Sequence, residues 1–174
     1  MPDRPQVAIT RKGEQRLESG HLWVYSSDVG ERGQAQAGDI VHVTSQRGRF
    51  LGTALYSSTS QITLRLLSPG RIDSIEGFID ARLRDAFEHR RRVVTDSDGY
   101  RLVHADGDLL PALVIDRYGD YFAVQFLNQA MDRLAPAVTA SLVRMFEPKG
   151  IVARNDAPVR RLEELPLETK VIHG

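Results

Sequence analysis

The feature that most limits what this chain can become is a series of short β-like segments in its first 70 residues, two of them entered from glycine turns. Residues 40–43 alternate apolar and polar side chains after Gly38-Asp39, and residues 50–56 follow a second turn at Arg47-Gly48. In residues 61–67, Ile62, Leu64 and Leu66 fall on one face while Thr63 and Arg65 fall on the other. Alternation of this kind points successive side chains to opposite faces of a strand. Several such strands at close spacing predict a small barrel or sandwich. One short helix is expected over residues 12–19, stopped by Gly20.

The β-like run ends at Leu67-Ser68-Pro69-Gly70, a strong break signal. Charge changes there too. Residues 1–72 carry 9 Lys and Arg against 6 Asp and Glu, whereas residues 73–174 carry 14 against 17. The chain is therefore divided, as an expectation, into domains 1–72 and 73–174. A linking helix should open the second, with Asp73 and Glu76 as its capping pair and Ile75, Phe78, Ile79, Leu83, Ala86 and Phe87 at helical spacing. It should end near Val94. A strand at 101–103, a hairpin around Tyr118-Gly119-Asp120, a helix carrying Leu134, Val138, Leu142 and Phe146, and a strand from Ile151 complete an α+β pattern.

Composition narrows the function. Basic and acidic residues balance at 23 each, which excludes a uniformly basic nucleic-acid coat. With no cysteine, the chain has no disulfide, thiolate metal site or cysteine nucleophile. No segment approaches the roughly 20 apolar residues of a membrane span, and Met1-Pro2-Asp3-Arg4-Pro5 lacks the apolar core of a leader. A soluble cytoplasmic protein without membrane contact is expected. The 14 glycines include no G-x-G pair, so neither a dinucleotide fingerprint nor a P-loop can be drawn, and no G-x-S-x-G elbow is present.

His104-Ala105-Asp106-Gly107-Asp108 is the densest polar cluster. Its imidazole and carboxylates are of the type that binds a divalent metal or moves protons, as in a small hydrolase. The plainer reading is a turn whose angles Asp and Gly supply. Basic residues give a better signal. Arg11, Lys12 and Arg16 lie on or beside the first helix, Arg47 and Arg49 flank Gly48, and Arg65 is on the polar face of its strand. Sharing one stripe, they would follow a phosphate backbone. His21 and Trp23 place aromatic rings nearby that could stack on unpaired bases, although a lone Trp in a small domain is expected in the core. Arg90-Arg91-Arg92 suits the C-terminal dipole of the linking helix and equally suits an RNA contact.

The order of segments is distinctive. Lys12-Gly13, Arg16, Gly20-His21-Leu22-Trp23-Val24-Tyr25-Ser26, Ala37-Gly38-Asp39-Ile40-Val41, Gly48-Arg49-Phe50-Leu51-Gly52 and Ile62-Thr63-Leu64-Arg65 resemble an N-terminal PUA domain, a small RNA-binding pseudo-barrel. The variant is similar to the one that opens the 23S rRNA cytosine-C5 methyltransferase family. The stretch from Arg101 to Asp120 and the residues Arg154-Asn155-Asp156, Val159-Arg160 and Leu162-Glu163 resemble the central α+β domain of that family. The family usually has glycine where this chain has Leu109, Ala112 and Glu164, and an acid at Ala153.

The resemblance implies a fold of PUA-like β pseudo-barrel, linking helix and small α+β domain. It implies RNA, and rRNA in particular, as partner; on that reading Lys12, Arg16, Arg47, Arg49 and Arg65 contact phosphates, and His21 or Trp23 stacks on a base or supports the surface. In the family a further domain binds S-adenosylmethionine and carries the cysteine that attacks C6 of the ring. That methyltransferase domain would begin near Val171-Ile172-His173-Gly174, so it is expected to be missing here, as in a fragment or a truncated relative. No catalytic residue, metal ligand or cofactor is expected in this chain. The alternative is a non-catalytic interaction module, such as a homodimer formed through exposed strand edges or the helix at 134–146.

Overall fold

A computed structural model describes residues 4–174, and Met1, Pro2 and Asp3 of the leader reading lie outside it. The chain forms two compact units. The first comprises the chain up to residue 73 together with 128–130 and 162–164; the second holds 74–127, 131–161 and 165–174.

The first unit is built on six strands: β1 (Gln6–Ile9), β2 (Trp23–Tyr25), β3 (Val29–Glu31), β4 (Ile40–Ser45), β5 (Phe50–Tyr56) and β6 (Ile62–Ser68). Their order is β2-β6-β5-β4-β1-β3. Only the β1–β4 pair is parallel; the others are antiparallel. The sheet curls into a pseudo-barrel around Val7, Ile9, Val24, Val41, Val43, Ala54, Tyr56 and Leu64. Helix α1 (Arg11–Glu18) starts one residue before its expected position because Thr10 caps it, accepting a hydrogen bond from the Gly13 amide at 3.3 Å. Gly20, at φ +90°, turns the chain out of the helix.

One face assignment on β6 is corrected. Thr63 and Arg65 do not look onto water: they are 0% and 8% exposed. β6 lies inside the sheet, and Glu163 of the same unit sits over its polar side with a carboxylate 3.2 Å from the Arg65 guanidinium.

The second unit has a five-stranded sheet in the order β11-β10-β9-β8-β7. Its strands are β7 (Gly99–His104), β8 (Leu113–Tyr118), β9 (Tyr121–Phe126), β10 (Gly150–Asn155) and β11 (Glu168–His173). β8 and β9 form the expected hairpin, with Gly119 supplying the positive φ of +58° at the turn. β9 and β10 run parallel, which requires a crossover, here through α3 (Gln129–Arg133) and α4 (Ala135–Phe146). Helix α2 (Ile75–Val93) is capped by Ser74 rather than Asp73, because the Ser74 hydroxyl accepts from the Gly77 amide at 3.0 Å. Ile79, Leu83 and Ala86 form its buried stripe. Phe87 meets Phe146 of α4 edge-on at 5.0 Å, and Phe146 meets Phe122 of β9 at 5.2 Å.

Leu109, Ala112 and Glu164, the positions at which the resemblance leads to an expectation of glycine, all adopt left-handed backbone angles, at φ 55°, 63° and 54°. These turns are made without the residue that makes the left-handed conformation inexpensive. A left-handed L-residue costs about 1–2 kcal/mol, and glycine gives back about 0.5–1 through its unfolded-state freedom. Glu164 is exposed. Glu164→Gly is therefore expected to stabilise the protein by about 0.5–1 kcal/mol in urea denaturation. Ala112→Gly should be near neutral, because Ala112 is buried and its lost methyl group offsets the relief.

Candidate RNA-binding surface

The basic residues do not form one stripe. Successive helical residues turn by about 100°, so α1 divides them between two faces. Lys12 and Arg16 lie on one face, beside β2. Arg11 lies with Glu14 and Glu18 on another, beside the turn between β4 and β5.

On the first face Asp28 organises the cations. Its carboxylate is buried, with Lys12 Nζ 3.7 Å from one oxygen and Arg16 Nε 3.3 Å from the other. The Arg16 contact is a charge contact without hydrogen-bond alignment, since Asp28 Oδ2 accepts no hydrogen bond. The Arg16 guanidinium also lies 5.1 Å above the Tyr25 ring. Tyr25 and Trp23 point the same way from edge strand β2, on either side of the buried Val24. Trp23 is 38% exposed, so the expectation of a core Trp is overturned. The reason is local: β2 is a three-residue edge strand, and its inward position is taken by Val24. His21, also exposed, precedes this strand. The face thus combines an accessible indole, a phenol stacked with a guanidinium, and a lysine.

On the second face, Arg11, Glu14, Glu18, Ser45, Gln46, Arg47 and Arg49 line a cleft of about 630 Å³. Arg49 donates to the carboxylates of both Glu14 and Glu18, at 2.8 Å to the latter. Hydrogen bonds to Glu18 and then Glu14 hold its guanidinium charged beyond the usual arginine range. Its charge is thus largely met within the protein. Arg47 and Arg11 are exposed and line the cleft. Arg65, the remaining member of the expected set, is a buried partner of Glu163 and contributes no accessible charge.

The polar cluster at 104–108 is structural. Both Asp108 oxygens accept from Arg90, at 2.8 and 2.6 Å, and one also accepts from the His104 amide at 2.6 Å. Arg90 further donates to the Arg101 carbonyl, so the first arginine of the helix-end triplet fastens α2 to its own unit. Among the described residues no group of three metal-binding side chains comes together. The left-handed angles of the turn fall on Ala105 and Leu109 rather than on Gly107. Burial alone would push the Asp108 carboxyl up, but the Arg90 bonds and the His104 amide outweigh it and hold it below the usual carboxylate range. A lowered folded-state value stabilises above the unfolded pKa of about 3.9 and loses that stability as pH falls through the folded value. Asp108→Asn should accordingly cost about 1–3 kcal/mol near pH 7. The gap to wild type should begin to narrow once pH falls below the unfolded pKa of about 3.9, readable in urea melts from pH 7 into acid.

Residues of the central motif turn out to be interior locks, a role that local sequence gave no means of reading. Phe126 donates its amide to Asn155 Oδ1 at 3.0 Å, and its carbonyl accepts from Arg160. Among the described residues no helix is long and apolar enough to cross a membrane.

Residues 7–69 match the family model of the PUA-like domain. Nearly the whole chain is similar to proteins named ribosomal RNA large subunit methyltransferase I. The relative from Vibrio parahaemolyticus is 31% identical across 97% of this chain and 43% of its own length. That from Shewanella amazonensis is 33% identical across 92% and 42%. The chain therefore spans about two-fifths of the length of these relatives. Among solved structures, a putative methyltransferase bound to SAH, SMU.776, superposes with a TM-score of 0.76 at 20% identity, over 86% of this chain and 40% of that one. A putative SAM-dependent methyltransferase from Streptococcus mutans gives 0.75 over the same shares. This chain carries a PUA-like domain at residues 7–69, followed by a small α+β unit, and is similar along nearly its full length to ribosomal RNA large subunit methyltransferases.

Proposed function

We propose that this chain is the RNA-recognition part of an S-adenosylmethionine-dependent methyltransferase of large-subunit rRNA, with cytosine C5 of 23S rRNA as the modified class of position. The observation that carries the reading is the PUA-like pseudo-barrel with Trp23 exposed beside the Arg16–Tyr25 stack. Trp23 supplies a stacking surface for an unpaired base, and the exposed His21 lies two residues before it in the chain. Lys12, Arg16, Arg47 and the adjacent Arg11 supply phosphate contacts, while Arg49 keeps its acidic partners and Arg65 serves the interior. S-adenosylmethionine has no fitting cradle among the described residues: the chain has no G-x-G pair, and Leu127-Asn128 between β9 and α3 offers no glycine for a close approach to a cofactor. The methyl-transfer chemistry is accordingly assigned to the part of the parent enzyme that this chain does not span.

The test is binding of the chain to labelled large-subunit rRNA stem-loops over a range of salt. Log affinity should fall against log salt by about 0.7 per neutralised phosphate of single-stranded RNA. Arg47→Ala and Arg11→Ala should each reduce that slope by about 0.7, and Trp23→Ala should remove about 1–3 kcal/mol per stacked base with the slope unchanged. Binding to no stem-loop at low salt, by a chain that self-associates, would replace this reading with the interaction-module alternative.

A further inference from the structure

We propose that the cleft between α1 and the β4–β5 turn reads an unpaired guanine, a specificity that rests on the RNA-binding reading above. The cleft measures about 630 Å³, which is the range of a nucleotide site. Its lining is chemically mixed. Arg11 and Arg47 share the lining with two carboxylates, Glu14 and Glu18, that clasp Arg49. A simple phosphate track would not contain two carboxylates, because each repels the backbone it is meant to hold. Carboxylates accept hydrogen bonds and cannot donate them. They select a ligand group that carries donors.

Guanine meets that requirement best among the four bases. On its pairing edge N1–H and the N2 amino group are adjacent donors, with the O6 acceptor beside them. Adenine and cytosine each place an acceptor next to their one amino group, and uracil sets a single N–H between two acceptors. The Glu18–Arg49 pair presents the complement: a carboxylate acceptor and a guanidinium donor, 2.8 Å apart on one face of the cleft. Glu14, its side chain only 12% exposed, keeps Arg49 in place; Glu18, which also accepts from Arg49, is 54% exposed and can turn toward a base. Glu18 accepts from N1–H and N2–H, Arg49 donates to O6, and Arg11 and Arg47 take the flanking phosphates.

The experiment is fluorescence anisotropy with a short single-stranded oligouridine bearing one central guanine, compared with the same strand bearing inosine or adenine at that position. Inosine keeps O6 and N1–H and lacks only the N2 amino group. One donor to a charged acceptor is worth on the order of tenfold in affinity. Wild type is expected to bind the guanine strand about tenfold tighter than the inosine strand, and more weakly still with adenine. Glu18→Gln should bring guanine and inosine close together while retaining most of the salt-dependent affinity. Arg47→Ala should weaken all three strands alike and preserve their ranking. Equal binding of all three strands by wild type, with a normal salt slope, overturns the guanine site and leaves the RNA-binding reading standing. A preference for guanine that survives Glu18→Gln overturns the assignment to this cleft. Binding of none of the strands or stem-loops overturns both.

Discussion

Glu163→Ala is expected to destabilise the first unit by about 3–5 kcal/mol, the cost of removing one partner of a buried ion pair. Glu163 is 1% exposed. One oxygen accepts from Arg65 at 3.2 Å; the other accepts from the Ser57 hydroxyl at 2.6 Å and from the Gln129 amide at 3.4 Å. Removing the carboxylate leaves a guanidinium that is 8% exposed, with the Ile62 carbonyl as its other partner. The loss should appear as a lower urea midpoint with an unchanged slope. Glu163→Gln tests the charge alone: it retains one acceptor oxygen but turns a donor toward groups that already donate, so about half the loss is expected. Arg65→Met together with Glu163→Leu removes both charges and should recover much of the stability, because an apolar pair of similar volume avoids desolvation. If the double variant were as unstable as Glu163→Ala, the uncompensated charge would not be the cause. The Gln129 side chain bridges the same network, donating to the Glu163 carbonyl at 2.9 Å and accepting from the Ser58 amide at 2.9 Å.

Legibility in the sequence follows a physical divide. Regular alternation and glycine turns are local, so β4, β5, β6, the hairpin of β8 and β9, and the stripes of α2 and α4 were legible. β1, β2, β3 and β11 were not. Strands of three or four residues show too little alternation, and the edge strand β11 exposes Thr169, Lys170 and Val171 in succession. The misreadings at Arg65 and Trp23 share one cause. Period two states which residues share a face, but the covering of that face comes from elsewhere in the chain: Glu163 is 98 residues from Arg65. The same limit applies to the candidate surface. Positive residues can be counted in a sequence, whereas their neutralisation by Glu14, Glu18 and Asp28 depends on helix phase and on the position of one turn. α1 does carry that phase in its sequence, since residues 11, 14 and 18 are separated by helical spacing from 12 and 16.

Arg160→Met should destabilise the second unit by about 3–5 kcal/mol through loss of hydrogen bonds more than through loss of charge. Arg160 is fully buried, a rare state for an arginine. Its Nε donates to the Pro166 carbonyl at 3.0 Å, while Nη1 donates to the Phe126 carbonyl and to Asp132 Oδ1 at 2.8 Å. A single side chain thus ties the end of β9, helix α3 and the segment leading to β11. Methionine fills similar space but leaves the buried Phe126 carbonyl without this donor. Asp132→Asn keeps an Oδ1 acceptor for Arg160 and removes only the charge of a carboxylate that is one-third exposed, so it should cost less than Arg160→Met, about 1–2 kcal/mol. Arg160→Lys keeps the charge but gives up the planar fork that reaches three acceptors at once, and should fall between the two. The ordering Arg160→Met, Arg160→Lys, Asp132→Asn, from most to least destabilised in urea, separates a hydrogen-bonded lock from an ion pair. Equal losses in Arg160→Met and Asp132→Asn would place the energy in the ion pair and refute the lock.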